Sequence, residues 1–176
     1  SSATPLRASE PRSRLGRIVL GTSKTIAGTV YGTIVVMGAI TAGAQGVRDP
    51  WRLAGAVAAT VIVLWLAHVY SHGLGEAVGR GRQLDRAELV AVARRELTIV
   101  LAAVAPVFAL VLGGIGLLRE STAIWLALAL GLATLAVQGF RYAALEGLGA
   151  RGTAKGVAVN VALGLAIIAA KVALAH

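Results

Sequence analysis

The chain has no cysteine, which removes disulfides, thiolate metal sites, iron–sulfur clusters and cysteine nucleophiles from consideration. Acidic residues are also scarce: 8 Asp and Glu stand against 17 Lys and Arg in 176 residues. Charged residues of both signs make up only 14%, well short of the roughly one quarter that soluble domains carry. No glycine-rich phosphate loop follows a strand-like run, no serine has a base at a suitable spacing, and no carboxylate pair lies within an apolar run. The expectation is a protein that is not an enzyme.

What is abundant is apolar: 57% of the residues are hydrophobic, and the mean hydropathy is +0.78. A helix needs about 20 residues to cross the ~30 Å hydrocarbon layer. Residues 25–47, 53–75, 97–118, 121–140 and 156–176 meet that length, predicting an all-α polytopic transmembrane helical bundle of five spans. The fifth has two readings, because its uncharged part, 156–170, is short. It either crosses with Lys171 snorkelling outward or turns back as a re-entrant segment.

Residues 1–17 are polar and basic, with Pro5 and Pro11 breaking any early helix, and read as a cytoplasmic tail ahead of one membrane domain, 18–176. Ala42-Gly43-Ala44 imitates a signal-peptide cleavage site, but the run before it exceeds the ~7–15 residues of an ordinary signal core. It is therefore read as a permanent helix. Gly46 to Arg52 reads as a tight loop turning at Asp49-Pro50, with Trp51 at headgroup level. Asp85 followed by Glu88 predicts a capping box, opening a helix near Arg86 that runs from a cytoplasmic extension into the third span. Pro106 removes a backbone donor inside that span and is expected to bend it, and Ser121 or Thr122 is expected to cap the fourth helix.

The basic residues lie between the apolar runs and not along a soluble face, which argues against nucleic acid and for contacts with anionic lipid. Arg7, Arg12, Arg14, Arg17 and Lys24 fall on one side of the predicted membrane, with Arg80, Arg82, Arg86, Arg94, Arg95, Arg141, Arg151 and Lys155. Only Arg48, Arg52, Arg119 and Lys171 fall on the other. Positive residues favour the cytoplasm, so the amino terminus is expected inside and the carboxyl terminus outside a bacterial inner membrane.

The main chemical candidate is the series His68, His72 and Glu76, which falls within about 80° on one helical face. Histidine titrates near neutral pH and ligates divalent metals, so this stripe can relay protons or hold a divalent cation, the one candidate cofactor. The alternative is two interfacial histidines bonded to nearby backbone, beside a solvated glutamate. Asn160, Gln138, Arg141 and Lys171 form a second polar set, read either as lining an ion pathway or as making interhelical polar contacts. Gly28 with Gly32, and Gly156 with Gly164, mark small-residue faces for close helix packing, and the first pair is also a dimerisation signal.

The stretches TVYGTIVVMGAI, DPWRLAG, VLWLAHVYSHGLGE and NVALGLAIIAAKVAL resemble small multi-pass membrane proteins of high-GC, actinobacterial-type bacteria. The resemblance implies a membrane topology and carries no activity. Together these features lead to an expected homo-oligomeric channel or transporter for a small ion. The other reading is a non-transporting scaffold or accessory subunit of a membrane complex.

Overall fold

The computed structural model describes residues 23–46 and 49–174, apart from the side chains at 23, 24, 45, 46, 171 and 174. The basic tail 1–17 and the Lys171 side chain lie outside the described residues. Five helices account for nearly all of the rest: α1 (Ser23–Gly46), α2 (Pro50–Arg80), α3 (Arg86–Gly114), α4 (Glu120–Leu145) and α5 (Ala150–Leu174). Each is long and apolar enough to cross a membrane.

The helix boundaries follow from local chemistry, and several differ from the sequence expectation. The segment expected to be a loop up to Arg52 is already helical from Pro50, because Asp49 caps α2 by accepting the Trp51 amide at 2.9 Å. Proline at the first helical position loses nothing, since that amide has no partner within the helix. At its other end α2 continues past Gly75 to Arg80, where Gly81 (φ 64°) takes the left-handed conformation that closes a helix.

The capping box forms as expected: Asp85 accepts the Glu88 amide at 2.8 Å and Glu88 accepts the Asp85 amide at 3.0 Å. α3 is one continuous helix through the buried Pro106 and ends at Gly114, short of Leu118, where the chain turns through Gly116 (φ 81°). Neither Ser121 nor Thr122 caps α4. The helix opens one residue earlier, at Glu120, with Arg119 in the cap position and no side-chain bond. α5 starts at Ala150, six residues before the expected 156, and its 25 residues span about 37 Å, enough to cross without re-entering.

α1 is the hub, packed against all four other helices, while α2, α3, α4 and α5 touch their neighbours in sequence and form an arc around it. Its inward face, Thr33, Val36, Met37 and Ile40, is fully buried with Leu53, Val57, Leu110, Leu128 and Leu135 of the surrounding helices. Thr29 and Thr33 donate to the carbonyls of Thr25 and Thr29, at 2.9 and 2.8 Å, so these hydroxyls are satisfied within their own helix.

Large apolar side chains such as Val63, Leu101, Phe108, Val159 and Leu165 remain exposed on the outer faces. α5 is the extreme case, with only 6% of its apolar window buried. Apolar surface on that scale would be costly in water. In lipid it is the solvent-facing side of the bundle, and the chain is a multi-pass membrane protein.

The glycine pairs are consumed inside the chain. A Cβ on Gly32 would fall 2.8 Å from the Ile99 carbonyl oxygen, and one on Gly28 would run into the Thr98 side chain. Gly156 and Gly139 bring α5 and α4 together, and Gly164 seats the Leu132 and Leu135 side chains. The first pair therefore holds α1 to α3 and is not available as the dimer face expected from sequence.

A Cβ on Gly139 would lie 2.7 Å from the Gly156 carbonyl oxygen and 2.8 Å from the Val157 Cα, backbone atoms with little room to give. Gly139→Ala is expected to cost about 1–3 kcal/mol in detergent thermal unfolding. Gly55→Ala, in open space on α2, should instead be neutral or gain up to roughly 1 kcal/mol from helix propensity.

Candidate functional site

α2 and α3 have 31 and 29 residues, about 46 and 43 Å, so both overrun a ~30 Å hydrocarbon layer. The excess projects at the end where they meet through the 81–85 loop, and that end collects the charges. Glu88 is bonded by Arg80 and, at 2.7 and 2.9 Å, by Arg82. This hydrogen bond raises the Arg82 guanidinium above its ordinary value, so the loop clamp stays charged at any physiological pH.

Deeper along the same seam Glu76 of α2 accepts Arg95 at 2.9 Å and Arg80 at 3.3 Å. Arg95 also donates from Nε to Glu96 at 3.2 Å, and the same Glu96 oxygen meets His72 Nδ1 at 2.7 Å. An unbroken line of acid–base contacts thus runs from the loop tip to His72. Trp65 fixes the register below it, donating its indole N–H to the Ala93 carbonyl at 3.1 Å.

His72 opens onto a cleft of about 620 Å³ bounded by α1, α2 and α3. Tyr31, His68, Ser71, Glu76, Arg95 and Glu96 line it on the polar side, and Ala27, Gly28 and Ile99 supply apolar wall. The rings run in series, with Tyr31 to His68 at 5.0 Å and His68 to His72 at 5.9 Å between centroids. His68 Nδ1 lies 3.0 Å from the Leu64 carbonyl oxygen, which can only accept, so Nδ1 carries the proton. Nε2 of a neutral His68 is then the basic nitrogen.

His68 lies eighteen residues beyond Pro50, or roughly 27 Å along the helix axis. The cleft therefore sits near the membrane edge, on the charged side. Glu96 is the buried member of the set, at 7% exposure, whereas His72 is open to the cleft.

His68, His72 and Glu76 share the cleft, but they do not converge as a chelate. The Glu76 carboxylate is engaged by arginines, and His72 pairs with Glu96. Among the described residues no three His, Asp or Glu side chains gather as a metal-binding group. The divalent-cation reading of the stripe thus lacks a ligand set, and the proton reading keeps its parts.

Neither Asn160, Gln138 nor Arg141 lines this cleft. Asn160 donates one amide hydrogen to the Gly156 carbonyl of its own helix at 2.9 Å. Gln138 is buried and accepts from Arg141 at 3.4 Å, one turn along α4.

Glu96, Arg95 and Tyr31 were not among the sequence candidates. The available signal was that Glu96 is the last charge before the uncharged run that follows it. Nothing in a linear pattern pairs it with a histidine twenty-four residues earlier.

The fold and this site define an integral membrane protein with five membrane-spanning helices among the described residues and a titratable cleft at one membrane edge. Comparison with family models, characterised proteins and solved structures finds no match that would narrow this class.

The His72–Glu96 contact can be measured by a double-mutant cycle in detergent. His72→Ala and Glu96→Ala are expected to show a coupling of about 1 kcal/mol, modest because His72 is half exposed. Strictly additive effects would mean that the pair contributes nothing as a pair.

Proposed function

We propose that this chain is an integral membrane channel or transporter for a small ion, in which protonation of His72 beside Glu96 controls the transport step. The observation that carries the reading is the buried carboxylate of Glu96, held where α3 enters the membrane and joined to a histidine that faces an open cleft. Ionisable groups are costly in a lipid-embedded bundle and tend to persist where they bind or relay something. The neighbouring His68, with its fixed tautomer, extends the relay by one helical turn toward Tyr31.

The reading places the charged loop 81–85, the cleft and the amino terminus on the cytoplasmic side of a bacterial inner membrane, facing anionic lipid, with the carboxyl terminus outside. Gly28 and Gly32 are filled internally, so in this reading a homo-oligomer associates through another face of the bundle. A scaffold or accessory subunit is the competing reading, favoured by α5, which presents an almost wholly unburied apolar surface to any partner helix.

Proteoliposomes carrying a pH-sensitive dye distinguish the two. His68→Ala with His72→Ala is expected to change ion-dependent proton flux, or its pH profile, by about tenfold, the effect of ~1.4 kcal/mol on a barrier. Flux identical to that of the unsubstituted protein would remove the histidines from transport, and no flux at all with a co-purifying partner would favour the scaffold.

The absence of native cysteine allows the orientation to be read directly. Gln83→Cys should react with an impermeant thiol reagent from the cytoplasmic face only, and Arg119→Cys from the opposite face only.

A further inference from the structure

The transport reading leaves open what occupies the cleft, and the lining speaks to that. Its charged residues are two carboxylates, Glu76 from α2 and Glu96 from α3, and one guanidinium, Arg95. That guanidinium already bridges the two acids, at 2.9 Å from Glu76 and 3.2 Å from Glu96. Arg80, outside the lining, also donates to Glu76 at 3.3 Å, and with neutral imidazoles the described lining itself carries one net negative charge. A proton on His72 or an external cation would cancel it.

The space is far larger than a bare metal ion or one water needs and falls within the usual range for small-molecule sites, about 300–1,000 Å³. Tyr31 gives the wall a phenol ring, the kind of π-face that attracts ammonium and guanidinium groups, and the two imidazoles continue the ring series beside it. Ala27 and Ile99 add apolar wall for a short carbon chain.

Resting on the transport reading, we propose that the cleft binds a small organic monocation, an alkyl guanidinium or ammonium. It would take the place that Arg95 holds between Glu76 and Glu96, in competition with a proton on His72. Arg95 acts as a tethered stand-in for the cargo, swinging aside when a free cation takes over its carboxylates. The groups that set the proton's side of this competition are Tyr31 on α1, His68, Glu76 and, through Glu76, Arg80 on α2, and Arg95 and Glu96 on α3.

Methylguanidinium titrated into the full chain in detergent, followed by calorimetry, tests the site. Potassium chloride serves as the ionic control and methylphosphonate as the anionic probe. Saturable methylguanidinium binding in the millimolar range or tighter is expected, weakening about tenfold as the pH falls from ~7.5 to ~5.5. Arg95→Ala should tighten it by about tenfold, because the guanidinium that bridges both carboxylates is gone and Arg80 reaches Glu76 alone. A merely structural Arg95 would give weaker or unchanged binding on substitution, and either result overturns the proposal.

Gly75 lines the cleft, and a Cβ there meets nothing within 4 Å, so Gly75→Leu should fill the space without disturbing the fold and abolish binding. Gly55→Leu, also in open space but away from the cleft, should bind as the unsubstituted chain does. Should Arg95→Ala fail to fold, this pair and the pH series decide alone. Saturation by methylphosphonate in place of methylguanidinium, or pH-independent binding, overturns the proposal. Binding without flux in vesicles would remove the transport reading and leave the site, whereas histidine-dependent proton flux without methylguanidinium binding would do the reverse.

Discussion

A carboxylate placed where a helix enters lipid has to be neutralised, and Glu96 imposes that requirement on the whole charged end of this molecule. Removing an ion from water costs several kcal/mol even after relaxation, and the cost is offset only by close, well-directed partners. Glu96 meets it with Arg95 from its own helix and His72 from α2, so the register between the two longest helices has to suit that contact. The Trp65 bond to Ala93 and the arginine contacts of Glu76 and Glu88 lie along the same seam and agree with one register.

The apolar remainder of the bundle obeys a different rule. Lipid gives helices little hydrophobic reason to associate, so closeness of approach has to hold them together. α1 supplies it with glycine and short side chains, meeting α3 at Gly28 and Gly32, and it inserts its own Met37 into the space left by Gly131 on α4. Because α1 begins at the charged end, Tyr31 and Gly28 close the third side of a cleft that the α2–α3 hairpin alone would leave open. Packing and chemistry therefore share one element.

The two proposals draw on this arrangement at different depths. Proton control needs only His72, Glu96 and access to water. Cation binding needs the carboxylates of two helices held a guanidinium's width apart, and the aromatic wall that α1 contributes.

The sequence by itself determined the membrane class, the five spans found among the described residues and the capping box at Asp85, because length, hydropathy and capping are local properties written in consecutive residues. It also singled out His68 and His72, which share a face through helical periodicity alone. Only the tertiary structure decided that Glu96, not Glu76, is the partner of His72, and that Gly28 and Gly32 face α3 within the chain. It likewise turned Asn160 back onto its own helix. A one-residue slip between α2 and α3 would rotate each pairing by about 100° around a helix axis. No pattern along one strand of sequence carries that register, since it is fixed by side chains brought together from helices far apart in the chain.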